Sequence, residues 1–229
     1  MRQLETLYDE GRRQLVDLLT HAGPEVGATA VGACPKWTVK DVVAHLTGVC
    51  ADVLDGRLDG VATDGWTAAQ VDARRGRSLD EVLGEWADVG SKIAAIVDDF
   101  PGWSGPQLVT DLTTHEVDVF TALGRAPQVS PQRLRVCLDF LVGTVMDEGA
   151  RGFGRGPLEV RAGGERWVVG AGEHPVASLD APAFELFRAL TGRRSSAQIG
   201  RFGWSEEPTP YLPLFGLGPF SVRETELVE

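Results

Sequence analysis

Hydrophobic residues recur at helical spacing through most of the first 150 residues. Leu4, Leu7, Leu15, Leu18 and Leu19 predict a helix over residues 1 to about 22, closed by the stop signal His21-Ala22-Gly23-Pro24. Val42, Leu46, Val49 and Val53 mark the inward stripe of a second helix, which Thr38 and Asp41 open as an approximate capping box. From Asp55 to Arg77 the period is weak and Gly and Asp are frequent, which predicts a connection with a short helix at Trp66 to Arg74. Ser78 and Glu81 form a clearer capping box ahead of Leu79, Val82, Leu83, Trp86, Val89, Ile93 and Ile96, and that helix ends before Phe100-Pro101-Gly102. Another spans Pro106 to Leu123, with Leu108, Leu112, Val119 and Leu123 inward and Gly124 as its stop. Ser130-Pro131 starts the next, with Leu134, Leu138, Leu141, Val142 and Val145 inward. Helices of these lengths predict an antiparallel bundle over residues 1–150.

The pattern changes at Arg151-Gly152-Phe153-Gly154-Arg155-Gly156-Pro157, a linker by composition. Beyond it, Leu158 to Arg161 and Arg166 to Val169 flank Gly163-Gly164 as a hairpin, Ala181 to Leu190 reads as a helix stopped at Gly192, and Ser195-Ser196 begins a short one through Ile199. The expected second domain is therefore a smaller α+β unit over residues 157–229, with the Pro-rich stretch Pro208 to Pro219 packed as irregular chain.

Composition narrows the function more than the fold. Apolar content of 43% and charged content of 24% are those of an ordinary globular protein. A net charge of -11 without a lysine-rich run argues against nucleic acid as a partner. Cys34, Cys50 and Cys137 are odd in number and unpaired in spacing, so neither a disulfide framework nor a CxxC metal site is expected. No apolar run reaches the roughly 18 to 20 residues of a membrane span, and the charged amphipathic start does not read as a signal peptide. These features together predict a cytoplasmic protein.

Three polar residues interrupt the inward stripes. Asp111 and His115 lie four apart on the apolar face of their helix, and His45 lies three after Val42 and four before Val49 on its own. Burying such groups costs several kcal/mol unless a partner satisfies them. A core ion pair between Asp111 and His115, beside a hydrogen-bonded His45, is one solution. A metal ion held by His45, Asp111 and His115 is the other, since facing helices of bundles are where such sites are built. Two imidazoles and a carboxylate suit zinc or a neighbouring divalent ion, and the same set serves iron in oxygenases. Three protein ligands leave a coordination position open, as catalytic sites do. Asp118, one turn on, is placed either to orient His115 or on a solvated face; Glu116 reads as exposed and Cys50 as core packing. Arg193, Arg194, Arg201 and Arg223 are available to a substrate carboxylate, though surface arginine is the default expectation.

The runs Trp37-Thr38-Val39-Lys40-Asp41-Val42-Val43-Ala44-His45-Leu46, Asp111-x-x-x-His115-x-x-Asp118 with Ala122-Leu123-Gly124, and Phe187-Arg188-Ala189-Leu190-Thr191-Gly192-Arg193-Arg194 together resemble the mycothiol-dependent maleylpyruvate isomerase family, one of the DinB-like metal-binding bundles. The resemblance spans nearly the whole chain and implies a DinB-like bundle followed by a sterol-carrier-like α/β domain. It also implies metal ligands at His45, Asp111 and His115, with Asp where the characterised isomerase has Glu. The implied function is isomerisation or S-transfer on a small activated substrate, using a divalent metal, zinc for preference, and a mycothiol-like thiol. Two other classes stay open. One is a metal-containing binding protein whose second domain holds an apolar ligand among Trp167, Phe184, Phe187 and Phe202; the other is a metal-free member in which Asp111 and His115 are an ion pair.

Overall fold

The computed structural model describes residues 3–154 and 156–227; Arg155 of the predicted linker and the terminal residues of the two predicted domains lie outside the described residues. The fold is mainly helical, with a small sheet near the C-terminus, and its contacts separate two compact units that meet in sequence at Val129 and Ser130.

The first unit contains α1 (Gln3–Ala22), α2 (Val39–Asp55), α3 (Asp64–Asp72), α4 (Leu79–Ile96) and α5 (Ser104–Ala122). α1, α2, α4 and α5 form the bundle, and the short α3 leans on α2. Both predicted capping boxes are complete. Asp41 N–H donates to Thr38 Oγ1 (3.3 Å) while Thr38 N–H donates to Asp41 Oδ2 (2.9 Å), and Ser78 and Glu81 repeat the exchange at 3.2 and 2.7 Å. These caps fix where each helix begins, and hence how far along α2 His45 sits.

α2 and α5 are enclosed on more than one side: Val42 to Cys50 and Leu112 to Val119 are buried without a break. Continuous burial is the mark of a helix surrounded by protein rather than one showing a single stripe to a core. This corrects the expectation for Glu116, which is fully buried. With its amide turned to satisfy both groups, Gln14 of α1 donates to Glu116 Oε1 at 2.7 Å and to Gln128 O at 3.0 Å.

The second unit begins with α6 (Pro131–Phe140), runs through a π-helical stretch (Leu141–Met146) into α7 (Asp147–Gly152), and then forms β1 (Leu158–Ala162), β2 (Glu165–Val169), β3 (Ala177–Asp180), α8 (Ala183–Leu190), α9 (Ser196–Gly200) and β4 (Gly203–Trp204). The segment from 131 to 150 therefore belongs with the sheet and not with the bundle. Leu134, Leu138, Leu141 and Val142 of its stripe are buried, but in the π-helical stretch Met146 is buried in place of the expected Val145, which is half-buried; its partners are α8 and β2. Periodicity states that a helix face is covered, not what covers it.

The sheet order is β2-β1-β3-β4. β1 and β2 pair antiparallel across Gly163 and Gly164, whose φ values of 60° and 85° give the mirror-image turn that suits a tight hairpin. β3 pairs parallel to β1, and β4 antiparallel to β3. Neither of these short strands carries an alternation signal. The Pro-rich end contains a 3-10 helix, Thr209–Phe215, that buries Leu214 and Phe215.

Candidate metal centre

His45, near the middle of α2, and Asp111 and His115, one turn apart on α5, are brought together within the first unit. His45 Nε2 lies 3.6 Å from Asp111 Oδ1, and His115 Nε2 lies 3.7 Å from the same oxygen. The imidazole centroids are 5.0 Å apart, edge to face. Both rings are nearly buried, while the Asp111 side chain is 31% exposed, so the carboxylate marks the solvent side.

Distances of this size lie within ion-pair reach and are also compatible with a shared ion. They are too long for hydrogen bonds, which fall at about 2.7 to 3.2 Å from nitrogen to oxygen. They match the edges of a tetrahedron around one ion, because bonds of about 2.0 to 2.2 Å put ligand atoms about 3.3 to 3.6 Å apart.

The other ring nitrogens support this geometry. His45 Nδ1 is 2.8 Å from Gln70 Oε1. Because that oxygen only accepts, Nδ1 carries the proton and Nε2 keeps its lone pair. His115 Nδ1 lies 3.3 Å from Asp118 Oδ2, within ion-pair reach but off the direction a hydrogen bond needs. Burial lowers the His115 pKa below its ordinary value; Asp118 and Asp111 pull it up and His45 pushes it down further. A neutral His115 with its proton toward Asp118 also has a free pair on Nε2. Two lone pairs and a carboxylate oxygen then face one another, and such a set is stabilised by a shared cation. The residues fit a divalent metal.

The walls come from a loop that periodicity does not describe. Val31 N–H donates to Trp37 O (3.0 Å), Trp37 N–H to Cys34 O (2.8 Å) and Val39 N–H to Thr29 O (2.9 Å), folding the chain before α2 into a pinned turn. The turn lays Trp37 against both imidazoles, with ring centroids 5.2 Å from His45 and 5.7 Å from His115. It also brings Cys34 Sγ to 3.6 Å from Asp118 Oδ2, so Cys34, His115 and Asp118 form a second close group. Asp118 is buried beside His115, and the solvated-face reading of it does not hold. Cys34, Trp37 and Gln70 have no periodic signature in sequence; Gln70 lies in the weakly periodic stretch, where only the predicted short helix hinted at structure.

Other candidates lie elsewhere. Cys50 is fully buried, bonded to the Tyr8 hydroxyl at 3.1 Å, and burial raises its thiol pKa to about 11, so it is a packing residue. In the second unit Arg193 and Arg194 are buried, contrary to the surface default. Arg194 grips Glu185 through Nε and Nη2 at 2.7 and 3.0 Å, while exposed Arg201 pairs with Glu226 at 2.8 Å and Arg223 is half-buried. Phe187 is core, and the Trp167 indole donates to Asp139 at 3.0 Å, which is ordinary packing for two of the aromatics considered for an apolar ligand.

Comparison with known proteins bears on the fold and the family. A solved structure of a mutant of the mycothiol-dependent maleylpyruvate isomerase has the same fold, at 13% identity and a TM-score of 0.55, over 89% of this chain and 92% of that one. Among curated proteins, none matches. The sequence pattern described as the mycothiol maleylpyruvate isomerase N-terminal domain matches residues 8–127, more than half of the chain, so the chain belongs to that family.

Proposed function

We propose that this protein is a metal-dependent enzyme in which His45, Asp111 and His115 hold one divalent ion, zinc for preference, for isomerisation or S-transfer on a small activated substrate by a low-molecular-weight thiol. The family's name points to mycothiol as that thiol. The observation that carries the reading is the pair of Nε2 atoms facing Asp111 Oδ1 at 3.6 and 3.7 Å, too far for hydrogen bonds and close to tetrahedral edges.

Each residue has a separate task. His45 and His115 supply neutral nitrogen ligands, their second nitrogens turned to Gln70 and Asp118. Asp111 supplies the anionic ligand from the exposed side, so the thiol and substrate approach past it. Trp37 covers both imidazoles and keeps water from their far faces. A zinc ion held by His45, Asp111 and His115 would supply Lewis acidity that favours thiolate near neutral pH, where an ordinary thiol of pKa about 8.5 is mostly protonated.

The test is elemental analysis of protein purified without added metal, for wild type and for His45→Ala, Asp111→Ala and His115→Ala. Wild type is expected to retain about one ion per chain, as a single site would. Each variant should lose most of it while keeping its far-ultraviolet helix signal, and calorimetric binding of mycothiol to the zinc-loaded protein should vanish in His45→Ala. Full metal retention in any of the three variants would overturn the ligand assignment.

A further inference from the structure

Along α2, His45, Gly48 and Asp52 are spaced three and four apart and so share one face. Gln70 of α3 lies on that face. Its Oε1 meets His45 Nδ1 at 2.8 Å and its Nε2 donates to Asp52 Oδ2 at 2.7 Å. Asp52 Oδ1 is in turn held by Arg57, through Nε at 3.0 Å and Nη2 at 2.9 Å. Gly48 gives the clearance: a Cβ there would stand 2.4 Å from Gln70 Cβ and 2.6 Å from its Cγ. Gln70 is 3% exposed and His45 5%, so water does not compete for the contact.

We propose that Gln70 and Asp52 are positioning residues that fix the tautomer of His45, so that its Nε2 lone pair is presented at the metal position before any ion arrives. The order of donors and acceptors runs one way. A paired carboxylate only accepts, so the Gln70 amide nitrogen must face Asp52 and its oxygen must face His45. An acceptor opposite Nδ1 requires a proton on Nδ1, and a neutral ring then has its free pair on Nε2. A merely structural polar contact tolerates either tautomer; this chain of groups does not. The consequence for metal affinity rests on the ligand reading given above, whereas the tautomer itself does not need a metal.

Two variants test it. Gln70→Leu removes both contacts, and the double variant Gln70→Glu with Asp52→Asn restores the same one-way order with the charge moved one group along. The nitrogen chemical shifts of His45 in the metal-free protein report the tautomer, and competition against a chelator reports zinc affinity. Wild type is expected as the Nδ1–H form. Gln70→Leu should become a tautomer mixture and bind zinc about 10- to 100-fold more weakly, the usual cost of losing an outer-shell partner. The double variant should return both readings toward wild type. Wild-type tautomer and affinity in Gln70→Leu, or an Nε2–H ring in wild type, overturns the proposal. Should Gln70→Leu fail to fold, a folded double variant with a mixed tautomer overturns it equally. If the tautomer responds as expected but no variant, His45→Ala included, changes zinc binding, the relay stands and the ligand reading falls.

Discussion

At the scale of single residues, burial separates groups that composition lists together. Cys50 and Cys137 are fully buried, and Cys34, in the turn before α2, is half-exposed. With the Cys50 thiol pushed up to about 11, thiolate at pH 8 is scarce there as well as inaccessible. Iodoacetamide at pH 8 should therefore modify Cys34 in the native protein and reach the other two only on unfolding; mass spectrometry showing early modification of Cys50 contradicts this. His115 gives a second expectation. Its pKa is lowered in the folded state, chiefly by burial, while an unfolded histidine titrates near 6.5, so above that pH both states are neutral and no linkage arises. Below about 6.5 the unfolded chain takes up a proton that the folded ring refuses, and stability falls with pH until the folded ring titrates too. Between pH 7 and 5, the urea midpoint of chelator-treated wild type should fall more steeply than that of His115→Gln; equal slopes would remove His115 as the cause. Helical period places His45, Asp111 and His115 on inward stripes; both histidines are buried, whereas the Asp111 side chain is 31% exposed. Sequence alone leaves Asp118 open between orienting His115 and facing solvent, it does not show Gln70 or Trp37 as neighbours, since no local pattern encodes contact between separate segments, and it misplaces Glu116 because a stripe argument assumes a helix covered on one side only.

Elements were legible in proportion to the strength of their boundary signals. Thr38 with Asp41 and Ser78 with Glu81 stand at the starts of α2 and α4, where reciprocal hydrogen bonds fix the first turn. Thr38→Ala should lower stability by about 1 kcal/mol, the usual worth of such a cap, read as a shift in urea midpoint at unchanged slope. It should also weaken metal retention, because the cap sets the start of the helix that carries His45. β3 and β4 carried no comparable signal, being four and two residues long. The packing of α3 on α2 was equally hidden, although one residue recorded it. In an unobstructed helix interior Gly→Ala stabilises by about 0.5 to 1 kcal/mol. At Gly48 the added carbon would meet Gln70 Cβ at 2.4 Å, a contact that must push α3 away. Gly48→Ala is therefore expected to destabilise, by about 1 to 3 kcal/mol as overpacking does. A neutral or stabilising result would show that α3 yields freely and that the close approach has no structural weight.

For the molecule as a whole, every residue placed at the candidate centre, from Cys34 to Asp118, belongs to the unit ending at Val129. The proposed ligands come from α2 and α5, two helices with long unbroken buried runs, so ion binding and bundle stability would draw on the same segments. A ligand that binds only the folded form stabilises it by an amount set by its concentration over its dissociation constant, about 4 kcal/mol at a thousandfold excess. Removing the metal should therefore loosen the bundle and leave the sheet-containing unit, which supplies none of these groups, as it was. Hydrogen exchange resolved by segment can separate the two. Treatment with chelator should lower amide protection in α2 and α5 while protection in β1 and α8 stays within error, and zinc should restore it. Equal loss in both units would mean that the ion's stabilisation spreads through the entire chain, and no change in α2 or α5 would mean that these helices do not hold an ion. His45→Ala provides the control, because in that variant chelator should have nothing left to remove and the exchange pattern with and without it should coincide.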